Sequence, residues 1–213
     1  GSVCIYDRAG SAIAQALDND FKWDKIFDGA QWFHFTGITP ALGENVFNIC
    51  KKACIEAKKK NITVSCDLNY RGKLWSKEEA AKSMSELCKY VDVCIANEED
   101  TKDVFGIESE GTDVYAGKIN KIGYDMVARQ LLDRFEFKYV AITLRTSHSA
   151  TVNDWAAMIF DGEESYYSKE YHFDNIVDRV GGGDSFGAGL IYALKNGYEK
   201  DKAIEFAVAA SAL

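Results

Sequence analysis

The residues best placed to do chemistry lie in DRVGGGDSFGAG, residues 178 to 189. Gly181, Gly182 and Gly183 precede a helix pattern whose apolar side carries Phe186, Leu190, Ala193 and Leu194. Successive glycines allow positive φ and bring the backbone close to a ligand. Their N–H groups, with a helix dipole behind them, form a pocket for anionic oxygens. Asp184 at the mouth of that helix would repel a phosphate, so pure anion binding does not explain it. It makes sense as a general base that removes a proton from a hydroxyl attacking the phosphate, while the amides stabilise the transferred charge. The alternative is an aspartate that merely caps the helix. There is no G-x-x-x-x-G-K-[ST] loop, and no G-x-G-x-x-G opens a first βαβ unit, which argues against a dehydrogenase.

The elements that must position these residues alternate. Aromatic and β-branched residues predict a strand over 31–38, and a helix follows over 43–60 with Val46, Ile49, Cys50, Ala53 and Ala57 on one side. A buried strand is expected over 62–68. Ser76 with Glu79 forms a capping box for a helix running to residue 90. A strand over 91–96, a helix over 98–105, a polar excursion over 108–123, a helix over 124–135 and a strand over 139–144 come next. Strands over 151–160 and 165–171 flank the turn signal Asp161-Gly162, and helices over 184–196 and 201–213 are separated by Gly197. This succession predicts an α/β fold: a doubly wound, mostly parallel sheet with helices on both faces. Ligands of such sheets bind beyond the C-terminal strand ends. Polar clusters fall there: DLNYR, NEED, TLRTSHS and VDRVGGGDS.

Composition narrows the class. The 213 residues, 47% hydrophobic and 27% charged, suffice for a packed core and exclude a disordered chain. One proline, where about ten would be usual at 5%, argues against a proline-rich linker. A net charge of −8 lacks the basic face that nucleic acid requires, and no apolar run approaches the roughly 18 residues of a membrane span. Six cysteines at irregular spacings (Cys4, Cys50, Cys54, Cys66, Cys88 and Cys94) indicate buried free thiols and a cytoplasmic location. His34, His148 and His172 are far apart in sequence, and no metal triad is expected of them. The domain is expected to span residues 3–213, with Gly1-Ser2 a remnant of an expression tag.

The glycine run resembles the C-terminal signature of the PfkB (ribokinase-like) carbohydrate kinases, D-T-x-G-A-G-D followed by a small-residue helix. IYDRAGSA and DLNYRGKLW are similar to segments of the branch that phosphorylates 2-keto-3-deoxygluconate, and ANEED and TLRTSHSATVNDW resemble family elements on the nucleotide side. The resemblance implies ATP-dependent phosphorylation of a primary hydroxyl of a sugar acid, with Mg2+ and a monovalent cation as accompanying ions. It implies Asp184 as the base and Gly181, Gly182 and Gly183 as the anion hole. Tyr6 and Arg8 would hold the sugar acid, since a guanidinium–carboxylate pair selects an acid over a neutral sugar. Arg71 would lie between the two anionic substrates, with Asn69, Asn97, Arg145 and Ser147 toward the nucleotide. Asp100 would serve magnesium and Asp178 the monovalent cation.

Two positions depart from the family. Asp100 stands where a glutamate is usual, and Arg145 where many relatives have glycine. The family's G-G-x-x-x-N strand and β-lid, through which relatives pair, do not precede Tyr6, and relatives continue past the final helix. The expectation is therefore a truncated core that is inactive alone. A kinase for a neutral sugar of the fructokinase or ribokinase type, or a non-catalytic binding fragment, are the competing readings. The charge pattern adds that Arg8, Arg71 and Arg145 must serve anionic substrates at one rim of an acidic protein.

Overall fold

The computed structural model describes residue 8 and residues 10–108, 121–149, 151–178 and 180–213. Tyr6, Cys4, the Gly1-Ser2 pair and most of the 108–123 excursion lie outside the described residues. The chain forms two compact units, Gly1–Asp92 and Val93–Leu213.

In the first unit two short helices, α1 (Ala12–Gln15) and α2 (Trp23–Ile26), lead into strand β1 (Trp32–Thr36). Helix α3 (Glu44–Lys59), strand β2 (Thr63–Asp67) and helix α4 (Lys77–Leu87) follow. Strands β1 and β2 pair in parallel, Trp32 opposite Thr63 through Thr36 opposite Asp67. The predicted stripe of α3 is the buried one: Val46, Ile49, Cys50, Ala53, Cys54 and Ala57. The Ser76–Glu79 capping box forms as expected. The Ser76 hydroxyl accepts from the Glu79 N–H at 3.2 Å, and Glu79 Oε2 accepts from the Ser76 N–H at 2.8 Å. Where β1 ends, the Gly37 N–H donates to the Asp67 carbonyl at 2.8 Å, and a Cβ on Gly37 would stand 2.0 Å from the Leu68 carbonyl oxygen.

The second unit begins with strand β3 (Val93–Asn97), helix α5 (Glu98–Phe105) and helix α6 (Lys121–Phe135). Strands β4 (Tyr139–Ser147), β5 (Asn153–Phe160), β6 (Ser165–Tyr167) and β7 (Tyr171–Phe173) precede the last two helices, α7 (Gly182–Lys195) and α8 (Lys200–Ala212). The sheet is mixed: β3 and β4 are parallel, whereas β5 runs antiparallel to β4, β6 and β7.

Alternation along the strands assigns the faces. Ile95, Ala141, Ala157 and Ile159 are buried in one cluster with Phe186, Leu190 and Ala193 of α7 and Ala203, Ile204, Ala207 and Val208 of α8. The other parity, Val140, Ile142, Met158 and Phe160, is equally buried, and Arg129 of α6 lies over the Phe160 ring at 4.6 Å. Helices therefore cover both faces of this unit's sheet, as the alternating pattern required.

The segment expected as one strand over 165–171 is two. Tyr167 pairs with Met158 and Tyr171 with Trp155, so four steps on one side match three on the other. That extra residue is a bulge. Ser168 stands at the break: its N–H donates to the Ala157 carbonyl at 2.9 Å, and its hydroxyl accepts from the Ala157 N–H at 3.0 Å. The bulge lets Tyr166 and Tyr171, an odd number of residues apart, both pack toward α7 and α8.

Helices α7 and α8 approach closely. A Cβ on Gly189 would lie 3.0 Å from Ala207 Cα and 3.1 Å from Ala210 Cβ. Gly189→Ala should cost about 1–3 kcal/mol through overpacking, read as a lowered midpoint in denaturant unfolding. Gly37→Ala should be at least as damaging, because its backbone obstacle stands at 2.0 Å rather than 3.0 Å. Wild-type midpoints for both variants would show that these contacts do not constrain the fold.

Candidate active site

The α7 helix starts at Gly182, two residues earlier than the sequence pattern suggested, with Gly181 at the N-cap in the left-handed region at φ 85°. Its first recorded intrahelical bond runs from the Ser185 N–H to the Gly181 carbonyl at 2.8 Å. The N–H groups of Gly182, Gly183 and Asp184 belong to the turn whose donors lack intrahelical acceptors. Among the described residues none of these three donates elsewhere. Asp184 is therefore not the cap: it occupies the third helical position, with an exposed side chain.

The glycines differ in what demands them. Gly181 needs its φ. A Cβ on Gly182 or Gly183 would meet nothing within 4 Å, so packing among the described residues does not require glycine there. Glycine there leaves the backbone open to close approach. Asp178 shapes the entry, its Oδ1 accepting from the Val180 N–H at 2.8 Å.

The nucleotide-side candidates of this unit fall on β3 and β4. Asn97 ends β3 and caps α5. Its Oδ1 accepts from the Asp100 N–H at 2.8 Å, and its Nδ2 donates to Asp100 Oδ2 at 2.8 Å. Asp100 is 5% exposed, so this carboxylate braces the cap from inside. Arg145 and Ser147 extend β4 beyond the predicted 139–144, because pairing with β5 continues through Asn153. They share the parity of Ala141 and lie on the face that α7 covers. The Ser147 hydroxyl donates to Oδ1 of Asn153, a buried residue whose Nδ2 donates to the Ser149 carbonyl at 3.2 Å. That pair holds the loop between β4 and β5.

In the first unit Asn69 takes a left-handed conformation at φ 39°, and its Nδ2 donates to Thr36 Oγ1 at 2.9 Å. Arg71 is exposed and donates from Nη1 to the Tyr70 carbonyl at 2.8 Å. Arg8 is half-buried, and its carbonyl accepts from the Ser11 hydroxyl at 2.8 Å. The structure thus joins Asn97 with Asp100, and Gly181, Gly182 and Gly183 with Asp184, as local groups. Tyr6 lies outside the described residues.

One expectation is overturned. His148 and His172 are not scattered: strand pairing brings both to Asp154. Asp154 is held below the ordinary carboxylate range, first by His148 and then by His172. His172 is raised, first by Asp154 and then by Asp174. No local sequence signal connects these residues; only the sheet register does.

Residues 2–213 match the model of the pfkB family carbohydrate kinases. The chain belongs to that family. The crystal structure of 2-dehydro-3-deoxygluconokinase from Thermotoga maritima is 50% identical and superposes with a TM-score of 0.90, over 97% of this chain and 60% of that one. A PfkB family carbohydrate kinase from Listeria grayi is 32% identical with a TM-score of 0.85, over 97% of this chain and 61% of that one. A 2-dehydro-3-deoxygalactonokinase from Haloferax volcanii is 29% identical over 98% of this chain and 58% of its own length. The chain therefore spans about three fifths of the length of these kinases. The ribokinase-like α/β architecture expected of the pfkB family is the one observed.

Among the described residues no helix is long and apolar enough to cross a membrane. The five described cysteines are buried and none forms a disulfide. The Cys50 thiol is pushed well above its ordinary value by a side-chain hydrogen bond with Cys54 and by burial, which suppresses the nucleophilic thiolate. A thiol reagent should label Cys50, Cys54, Cys66, Cys88 and Cys94 only after denaturant is added. Rapid labelling of any of them in the native protein would contradict the packing.

Proposed function

We propose that the protein phosphorylates the primary hydroxyl of a sugar acid with ATP, converting 2-keto-3-deoxygluconate to its 6-phosphate. The carrying observation is the first turn of α7: open N–H groups at Gly182 and Gly183 beside the exposed Asp184 carboxylate. Anion binding alone would not place a carboxylate there. The similarity to the Thermotoga maritima 2-dehydro-3-deoxygluconokinase supports the substrate class.

In this reading Asp184 removes the hydroxyl proton as the oxygen attacks the γ-phosphorus of ATP, and ADP leaves. The N–H groups of the glycine turn meet the negative charge carried by the transferred group. Arg145 and Ser147 line the nucleotide side, and Asn97 is held there by Asp100. The buried, bonded Asp100 carboxylate fits that bracing role better than direct ligation, so magnesium is assigned to the phosphates of the nucleotide. Asp178, already shaping the loop through Val180, is the candidate neighbour of a monovalent cation. Tyr6 and Arg8 are assigned to the substrate carboxylate and keto end. Arg71 is assigned to offsetting repulsion between the two anions, with Asn69 beside it. Buried thiols outside any disulfide support a reducing, cytoplasmic setting.

An ADP-coupled assay on the full-length protein tests the base. Asp184→Asn should lower kcat by roughly 10²–10⁴ with the fold unchanged by circular dichroism. Wild-type turnover in that variant would refute the assignment. The substrate class is tested separately: Arg8→Ala should raise KM for the sugar acid at least about tenfold, the loss of one charge-assisted pair, and barely alter KM for a neutral sugar. Equal effects on both substrates would favour a neutral-sugar kinase. Gly182→Ala and Gly183→Ala should keep the wild-type unfolding midpoint yet lose activity; retained activity would show that nothing approaches those positions closely.

A further inference from the structure

A second cluster of chemically competent side chains sits in the Val93–Leu213 unit, on the sheet face opposite α7. Asp154 lies on β5 with the parity of Met158 and Phe160, the face that α6 covers, and pairs directly with His172 of β7. Directly paired residues in an antiparallel ladder share a face. His148 follows β4, its N–H donating to the Val152 carbonyl at 3.0 Å. The ligating atoms of His148, Asp154 and His172 all lie within 4.8 Å of one another.

The contacts have an unusual arithmetic. Asp154 uses both oxygens, Oδ2 toward His148 Nε2 at 2.5 Å and Oδ1 toward His172 Nδ1. His172 also turns Nε2 to Asp174 Oδ1 at 3.1 Å, so both of its ring nitrogens face carboxylate oxygens. A neutral imidazole carries one N–H and can donate to only one of them. With the N–H on Nε2 toward Asp174, the Nδ1 lone pair points at an Asp154 oxygen. An imidazolium relieves this by donating to both carboxylates, and a metal ion on Nδ1 would relieve it in the proton's place.

We propose that His148 Nε2, Asp154 and His172 Nδ1 bind one divalent transition-metal ion of the zinc class, with Asp174 as the outer carboxylate that orients His172. Two imidazoles and a carboxylate suit zinc and its late first-row neighbours, whereas magnesium and calcium prefer all-oxygen shells. Ligand atoms at ~2.0 Å on a tetrahedral zinc are roughly 3.3 Å apart, within the 4.8 Å span of these three atoms, so the two imidazoles would draw back from Asp154 to admit the ion. The histidine on a metal commonly gives its second nitrogen to a carboxylate, the position Asp174 holds. The side chains are 45%, 16% and 53% exposed for His148, Asp154 and His172, which leaves an entry path and a place for water as fourth ligand. The bound ion would tie β5 and β7 to the loop after β4.

Calorimetry of zinc chloride into the 213-residue chain tests this directly. The expected result is saturable binding of one equivalent, undisturbed by excess magnesium. His148→Ala and His172→Ala should each weaken it at least about tenfold, and Asp174→Asn by about tenfold, the usual size of an outer-shell loss. A readout on the unaltered chain guards against variants that misfold: zinc should shift the imidazole nitrogen resonances of His148 Nε2 and His172 Nδ1 and leave His34 in place. No saturable equivalent, wild-type affinity in both histidine variants, competition by magnesium or a response confined to His34 would each overturn the proposal. The failure of this site leaves the kinase reading untouched, since none of its residues is assigned to phosphoryl transfer.

Discussion

The narrow crossing of α7 and α8 governs what the Val93–Leu213 unit can present. Gly189 lets the α7 backbone come within van der Waals reach of Ala207 and Ala210, while Phe186 and Leu190 fill the sheet face beside it. A helix fixed in this way from its middle cannot slide along its axis. Its first turn, with three unsatisfied donors and the Asp184 carboxylate, is then a consequence of packing several residues away. Preorganisation of this kind is what electrostatic catalysis requires, because donors that need not rearrange stabilise developing charge most effectively.

The two faces of that sheet are put to different uses. Toward α7 and α8 the strands offer Ile95, Ala141, Ala157 and Ile159, with Trp155 and Tyr171 at the margin, and Trp155 donates to the Ser211 hydroxyl of α8 at 2.7 Å. Toward α6 they offer Val140, Ile142, Met158 and Phe160, and then, past the apolar stretch, Asp154.

What the sequence revealed depended on how local each determinant is. The Ser76–Glu79 box is legible because both partners lie within three residues. The buried stripe of α3 is legible because helical periodicity repeats it over four turns. The start of α7 was misplaced by two residues, since glycines signal loops while Gly182 and Gly183 adopt helical geometry in the first turn. The extension of β4 through Ser147 was hidden for a related reason: Arg145, Thr146 and Ser147 look like loop residues and are strand only because β5 pairs with them. The meeting of His148 and His172 was invisible, because the partner that joins them is set by register across three strands.

That register rests on the extra residue near Ser168. Carried unchanged from β6 into β7, the ladder would set Tyr171 opposite Asp154; the bulge sets His172 there instead. Chain length, as much as residue identity, therefore writes the chemistry of this edge. An insertion of one residue between Tyr167 and Tyr171, with the single-residue bulge kept, would set Tyr171 opposite Asp154, exchange an imidazole for a phenol beside the carboxylate and turn Tyr171 away from Glu205. Homologues that differ here by a single gap would carry the same letters and a different surface.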